Sequence, residues 1–555
     1  MKRRHISLFG AGLTLGLAFV GATPVGATPL DTTTDATSVG VTAVDATTVG
    51  ASTTDATTVG ATAVDATTRA GAAPASPRLR WGSCVLGPDD REGQELAAAG
   101  AECAGVTVPL DYRRPQGRTL TVAISRIKAT DRAHRIGALL LNDGGPGGPT
   151  IGAPPRVAAA LKGVARRYDI IGMDPRFVGR SDPLDCGWPV GSGLTGAGNS
   201  RASFERQVAF TKDLAAKCRA NAGDLLPHAS TRNTARDMDR IRAALGERKL
   251  NYLGVSYGTY LGTVYGQMFP GRVGRVVLDG ALDPRAYGPT MLPALIGPNE
   301  HALAGWADWA AARNGTYGLG RTGAEVLAAV RGVAEAAGRA PLVLGTGADT
   351  FRLDDTQVPW LLFGPLGDDG DENRAFLADA VRALRLAADG RPTGPLSPDL
   401  VGLLRHSFTD VDSASASAQM AILCADGSAP RDPEVYWRAV EASRAAHPVF
   451  GPALNNLNPC AFWERPRERR TEVRRDMPAL IVAATGDPRT PYPGSVALHE
   501  LLPGSRLVTL EGVSSHGLYG FYGNACVDEA VNAYLGSGQL PTADLTCGKA
   551  QRAGG

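Results

Sequence analysis

A serine between two glycines, Gly254-x-Ser256-x-Gly258, is the pattern in this chain that points most directly to chemistry. An apolar run, 250–255, leads into it, and a helix-like run follows as far as Phe269-Pro270. A strand that turns sharply into a helix lifts the serine oxygen above the end of a sheet. It also aims the helix N-terminus at negative charge forming there. The flanking glycines meet a steric need, because side chains at those positions would strike the neighbouring strand and helix. With 69 glycines in 555 residues, chance alone produces such a pattern easily. A serine hydroxyl is also a poor nucleophile until a base takes its proton. The pattern therefore has meaning only if an acid and a histidine follow it in the chain.

Eight histidines are available. His5, His134 and His228 precede the serine, and His301, His406 and His447 fall in a helical stretch before the strand pattern resumes. His499 lies inside the helix pattern 494–502. His516 follows the last strand pattern, 506–510, in Gly512-Val513-Ser514-Ser515-His516-Gly517, and is the expected base. The acid should end the strand before it. Asp487 does so, closing Leu480-Ile481-Val482-Ala483-Ala484-Thr485-Gly486. Its carboxylate would accept the other ring N–H of the histidine and fix the tautomer. Asp279, at the end of the strand after the serine, is the rival acid. An oxyanion needs two backbone N–H donors. One is that of Tyr257, after the serine, and the other belongs to a loop after an early strand. Asn142-Asp143-Gly144-Gly145-Pro146-Gly147-Gly148-Pro149 is that loop. No G-K-[ST] follows it, and H-E-x-x-H and a dinucleotide fingerprint are absent, so no phosphate loop, metal or cofactor is expected.

The elements that must position these residues are legible as periodicities. Strand patterns occur at 119–127, 136–141, 168–173, 250–255 and 273–278, with helix patterns at 155–166 and 231–245 between them. Alternation of this kind predicts an α/β fold with a mostly parallel, doubly wound sheet. It stops near Asp283. Helix patterns then dominate (301–312, 324–337, 372–388 and 433–446), with one short strand-like piece at 341–344. Strand and helix resume at 479–484, 494–502, 506–510 and 526–535. The expected organisation is a core in two parts, 79–284 and 476–555. A large, mainly helical cap, 285–475, is inserted before the acid strand and encloses the site.

The N-terminus reads as a secretory signal: Lys2-Arg3-Arg4, an apolar run 6–22, and Val25-Gly26-Ala27 as the cleavage site, giving 1–27. The apolar run is too short for a firm membrane anchor, so no stable membrane insertion is expected. Residues 31–70 repeat every ten, with Asp35-Ala36-Thr37 recurring at Asp45, Asp55 and Asp65. A segment without aromatic or long aliphatic residues cannot bury enough surface to order itself, so 28–78 is expected to be a disordered stalk or propeptide, suited to cell-wall association. Net charge is +2 with no basic run beyond the extreme N-terminus, which argues against a nucleic-acid partner. Eight cysteines without C-x-x-C spacing, behind a signal, read as disulfides. The spacing suggests Cys84–Cys103, Cys186–Cys218, Cys424–Cys460 and Cys526–Cys547.

Several of these segments together resemble the secreted actinobacterial tripeptidyl aminopeptidases of the α/β-hydrolase fold, relatives of prolyl aminopeptidases. The resemblance spans about 81–547. It rests on Val108-Pro109-Leu110-Asp111-Tyr112, Gly144-Gly145-Pro146-Gly147-Gly148, Gly172-Met173-Asp174-Pro175-Arg176, Gly179-Arg180-Ser181 and Gly254-Val255-Ser256-Tyr257-Gly258. Leu278-Asp279-Gly280, Ile422-Leu423-Cys424-Ala425-Asp426, Gly486-Asp487-Pro488-Arg489-Thr490-Pro491 and His516-Gly517 complete it. Two positions depart: Asp143 stands where prolyl aminopeptidases begin their loop with His, and Phe177 follows Arg176 where the family has Gly. The resemblance implies a serine exopeptidase acting on peptides with a free N-terminus, with Ser256, Asp487 and His516 as the triad and the N–H groups of Gly145 and Tyr257 as the oxyanion hole. An aminopeptidase also needs an anion for the substrate ammonium, and Asp426 is the candidate, against a plain structural role beside a disulfide. Two other functions fit the same pattern: a secreted carboxylesterase or lipase-like hydrolase of small acyl esters, and a non-catalytic cell-surface binding protein.

Overall fold

Residues 137–142 and 250–255 are buried throughout, and a strand with no polar face has to be covered on both sides. The computed structural model, which describes residues 79–549, does this with helices on either face of one sheet. The signal-like N-terminus and the ten-residue repeats lie outside the described residues. In chain order come α1 (Arg91–Ala98), β1 (Glu102–Pro109), β2 (Thr119–Ile127), β3 (Gly137–Asn142), α2 (Pro154–Leu161), β4 (Tyr168–Met173) and α3 (Arg201–Ala222). Then follow α4 (Thr231–Ala244), β5 (Leu250–Val255), α5 (Tyr257–Met268) and β6 (Val273–Asp279).

The chain next builds α6 (Ile296–Ala311), α7 (Asn314–Tyr317), α8 (Gly323–Arg339), a hairpin of β7 (Leu342–Leu344) and β8 (Phe351–Leu353), α9 (Val358–Phe363), α10 (Asp371–Ala388), α11 (Pro398–Phe408), α12 (Ser413–Asp426), α13 (Pro433–Arg444) and α14 (Phe450–Leu454). It returns to the sheet with β9 (Leu480–Ala484), α15 (Tyr492–Leu501), β10 (Arg506–Leu510), α16 (Ala525–Ser537) and β11 (Leu545–Cys547).

Among the described residues the main sheet has the order β1-β2-β4-β3-β5-β6-β9-β10-β11. β2 runs antiparallel to β1 and to β4, and every other pairing is parallel. This is an α/β-hydrolase sheet. Alternate residues of its central strands enter opposite cores. Leu140, Tyr252 and Ile481 pack with Met238, Ile241 and Leu261 of α4 and α5. Leu139, Leu253 and Val482 pack with Val157, Val527 and Val531 of α2 and α16. Each such aliphatic side chain contributes about 1.5–3 kcal/mol by leaving water.

The helical segment between β6 and β9, the cap, has a core of its own around Leu344, Leu353, Leu384 and Leu404. Its α6 and α12 also share the larger core, through Leu303, Trp306, Met420 and Ile422. All four expected disulfides are present: Cys84–Cys103, Cys186–Cys218, Cys424–Cys460 and Cys526–Cys547. One expectation needs correction. The strand 506–510 is not the last, because β11 adds to it in parallel, held beside α16 by the Cys526–Cys547 bridge. Three residues are too few to show a periodicity. The long α3 also escapes the pattern, because its charged and apolar residues do not separate cleanly into two faces. Among the described residues no helix is long and apolar enough to cross a membrane.

Candidate active site

Parallel register brings the carboxyl ends of the central strands into line. Asn142 sits opposite Gly254, Val255 opposite Asp279, and Asp279 opposite Val482. The loops that leave these ends therefore meet.

Ser256 occupies the turn between β5 and α5 with φ +57 and ψ −125, a backbone conformation that costs an ordinary residue of order 1–3 kcal/mol. The turn is fixed by its surroundings. Ser256 N donates to Asp279 O at 2.9 Å, and the Thr259 N–H and hydroxyl donate to Ser256 O at 2.8 and 2.6 Å. Both flanking glycines are sterically required. A Cβ on Gly254 would lie 2.5 Å from Gly258 O, and one on Gly258 would lie 2.3 Å from Asn142 O. Tyr257 is the first residue of α5, where a backbone N–H has no partner within the helix. The glycine loop closes over this turn. Gly144, at φ +103, approaches so closely that a Cβ there would lie 2.6 Å from Val255 O and 2.8 Å from Ser256 Cβ. The loop that carries Gly145 thus rests on the serine turn.

A residue the sequence left unassigned holds that loop. Asp174 follows β4 and is fully buried. Its Oδ1 accepts the Thr150 and Ile151 N–H groups at 2.8 and 2.9 Å, and its Oδ2 accepts that of Arg180 at 2.8 Å. Burial pushes its carboxyl above the usual range. Asp143, the first departure from the prolyl aminopeptidase pattern, pairs with Arg156 at 2.7 Å. Phe177, the second, adopts φ +70 and is buried. The backbone keeps the conformation a glycine would favour, and the ring is absorbed by the core.

His516 and Asp487 meet across two loops. His516 Nδ1 lies 2.8 Å from Asp487 Oδ2, and both side chains are buried. Asp487 Oδ1 accepts the N–H groups of Arg489 and Thr490 at 2.7 and 2.9 Å, and Oδ2 accepts the Thr490 hydroxyl at 2.7 Å. Thr490 Oγ1 is also 3.1 Å from His516 Nδ1, so this threonine, legible in the sequence only as part of a stiff turn, touches both groups. His516 Nε2 is buried and has no hydrogen-bond partner among the described residues, so no bond joins it to Ser256 Oγ in this structure. The imidazole nonetheless lies beside the serine's strand neighbour: a Cβ on Gly280 would sit 3.3 Å from His516 Cε1 and 3.4 Å from Asp487 Oδ2.

Asp279, the rival acid, binds differently. Its Oδ2 accepts the Leu518 and Tyr519 N–H groups, both at 2.8 Å, which anchors the chain just beyond His516. Burial pushes its carboxyl up to about 6, against those two hydrogen bonds. It holds the loop, while Asp487 holds the ring.

Asp426 ends α12 in the cap, two residues past the bridged Cys424. Its Oδ1 accepts the Thr231 N–H at 2.8 Å; its Oδ2 takes the Thr231 hydroxyl and the Tyr287 hydroxyl, the latter at 3.2 Å. Thr231 Oγ1 in turn lies 2.7 Å from the hydroxyl of Tyr257, the residue after the serine. Tyr287 stacks on Tyr260 at 4.0 Å between ring centres and tilts against Tyr257 at 5.8 Å. Burial pushes the Asp426 carboxyl up to about 7, opposed by the hydrogen bonds from Thr231 and Tyr287. The helix that carries it also packs on the glycine loop, since a Cβ on Gly147 would lie 2.8 Å from Gln419 N.

A strained serine at a strand–helix turn, a histidine held by a carboxylate, and a glycine loop over the serine define a serine hydrolase of the α/β-hydrolase fold. Comparison with known proteins narrows the class. The chain is 35% identical over 464 residues to a tripeptidyl aminopeptidase of Streptomyces lividans, which covers 80% of this chain and 83% of that one. It is 32% identical over 481 residues to a serine protease of Mycobacterium tuberculosis, covering 81% and 87%. It is 30% identical over 507 residues to a carboxylesterase B of the same organism, covering 86% and 91%. A family profile described as TAP-like protein matches residues 447–547, which contain Asp487 and His516. The chain belongs to the tripeptidyl aminopeptidase family of α/β-hydrolase serine peptidases.

Proposed function

We propose that this enzyme is a secreted serine exopeptidase that releases short peptides, tripeptides by preference, from the free N-terminus of peptide substrates. The observation that supports the reading is the buried Asp487–His516 pair at the same strand ends as the strained Ser256, under a helical cap whose own carboxyl group, Asp426, is linked through Thr231 to Tyr257, the residue after the nucleophile. His516 Nε2 takes the Ser256 proton as Oγ attacks the scissile carbonyl. The Tyr257 and Gly145 N–H groups bind the oxyanion. His516 then protonates the leaving amine, and water, deprotonated by the same nitrogen, hydrolyses the acyl-enzyme. Asp426 binds the substrate ammonium. Its Oδ1 accepts a single hydrogen bond and so keeps a lone pair, and the flanking tyrosine rings suit a cation. Four disulfides and the signal-like N-terminus support secretion, and the repeat segment 31–70 would serve as a cell-wall spacer.

The similarity to a carboxylesterase B favours one second reading, hydrolysis of small acyl esters. A panel of tripeptidyl and aminoacyl chromogenic amides, run beside short-chain esters, separates the two. The peptidase reading requires kcat/KM for a tripeptidyl amide to exceed that for the single-residue amides. Turnover of esters alone overturns it.

A further inference from the structure

Arg489 lies between Asp487 and Thr490, the two residues that touch His516 Nδ1, yet its own side chain points away from the catalytic pair and into the cap. It is buried and makes no ion pair among the described residues, Asp487 attracting it only from a greater distance. A buried guanidinium without such a partner is costly, and an apolar side chain would fill the space at less expense in desolvation. The donors are nevertheless used. Nη1 donates to Asn299 Oδ1 of α6 at 2.6 Å, and Nη2 donates to Gly364 O, just after α9, at 3.3 Å. The guanidinium plane lies 3.5 Å over the Phe363 ring. Every one of these groups belongs to the cap. The backbone of the same residue faces the other way, with Arg489 N donating to Asp487 Oδ1 at 2.7 Å.

Two further bonds run parallel to this bridge. Asn299 Nδ2 donates to Pro488 O at 2.7 Å, so Asn299 and the acid loop hold each other in both directions. His516 N donates to Gly367 O at 2.8 Å, so the base loop is fastened to the same cap segment, 363–367. Both halves of the acid–base pair are thereby tied to five consecutive cap residues. Only a fork of donors on a flat cation meets two carbonyl-type acceptors and an aromatic face together, which a lysine cannot do.

We propose that Arg489 is a positioning residue that seats cap segment 363–367 against the catalytic loops, so that docking of the cap and alignment of Asp487 with His516 are one event. The inference rests on the serine-hydrolase reading of Ser256, and its test separates the two. The full-length enzyme and its Arg489→Met, Arg489→Lys and Asn299→Ala variants are compared in kcat and KM on a chromogenic tripeptidyl amide. The rate of Ser256 labelling by a fluorophosphonate, which needs an activated serine but no peptide recognition, is measured in parallel. Loss of alignment by about 1 Å costs about 100-fold, so Arg489→Met should lower kcat and the labelling rate together by about 10- to 100-fold, with KM changed less than threefold. Arg489→Lys should recover less than a third of that loss. Asn299→Ala should move both rates in the same direction by a smaller factor, and it carries the test if Arg489→Met does not fold. A variant that folds, labels at the wild-type rate and shows only a raised KM overturns the proposal. A wild type that is not labelled at all overturns the serine-hydrolase reading instead.

Discussion

Two buried aspartates lie near His516, and replacing each by asparagine should have opposite consequences. Asp487 bonds the ring at 2.8 Å, and Asp279 bonds only the backbone beyond it. In Asp487→Asn the amide can present its N–H to Nδ1 and so favour the wrong tautomer. The expected loss in kcat is about 10⁴-fold. For Asp279→Asn the terms nearly cancel. The Asp279 carboxyl titrates at about 6 instead of the ordinary 3.8, so keeping it ionised at neutral pH costs about 3 kcal/mol of stability. The sign follows from the raised value. The folded state holds this proton more tightly than the unfolded chain, so stability falls as pH rises from about 4 to 6 and stays reduced above. Asparagine removes that cost. It keeps one oxygen for Leu518 N and Tyr519 N, and it places an N–H where Oδ1 now has no partner, a penalty of about 1–3 kcal/mol. Asp279→Asn should therefore fold with stability near wild type at pH 7, lose the part of the pH 4–6 stability slope that Asp279 supplies, and keep kcat within about tenfold. Urea titrations at several pH values and kcat on a tripeptidyl amide measure both. If Asp279→Asn loses activity as deeply as Asp487→Asn, the division of labour between the two acids is wrong.

Gly144→Ala should cost about 10²–10³-fold in kcat with little change in circular dichroism, because its Cβ would strike Val255 O and Ser256 Cβ and push the loop, with the oxyanion donor we propose at Gly145, off the serine. Unchanged kcat on a small ester would show that the loop does not act there. Asp426→Asn should raise KM about 10- to 100-fold for peptides with a free N-terminus, the worth of a charge-assisted hydrogen bond, while kcat changes little. Because the Asp426 carboxyl loses its proton near pH 7 among Thr231, Tyr257, Tyr260, Tyr287 and the more distant Glu468, wild-type KM should fall as pH rises from about 6 to 7.5. The asparagine variant should lack that slope, and a slope that persists in it would assign the ammonium to another group.

The parts of this enzyme that were legible in the sequence are those with a local signature. β5, Ser256 and α5 form one continuous pattern, and Asp487 and His516 stand in the loops that follow buried strands, where chain order restricts the choice. Short or weakly patterned elements escaped. β11 has three residues, and its place depends on a disulfide and a parallel neighbour. The supporting contacts were not legible, for a physical reason. Asp174 reaches a loop more than twenty residues before it, Asn299 reaches one nearly two hundred residues after it, and Gly367 accepts from His516 through its backbone, which no residue type announces. Arg489 was visible within a motif, but its buried setting over Phe363 exists only once the cap is folded. Phe177 shows the converse, a departure from the family's glycine that leaves the backbone conformation intact.

The most direct test of the exopeptidase reading is mass analysis of products from one defined peptide of about ten residues, supplied with a free and with an acetylated N-terminus. The expected result is successive loss of tripeptides from the free peptide, no cleavage of the acetylated one, and no product from Ser256→Ala. Equal cleavage of both peptides, or internal cuts in either, would contradict it.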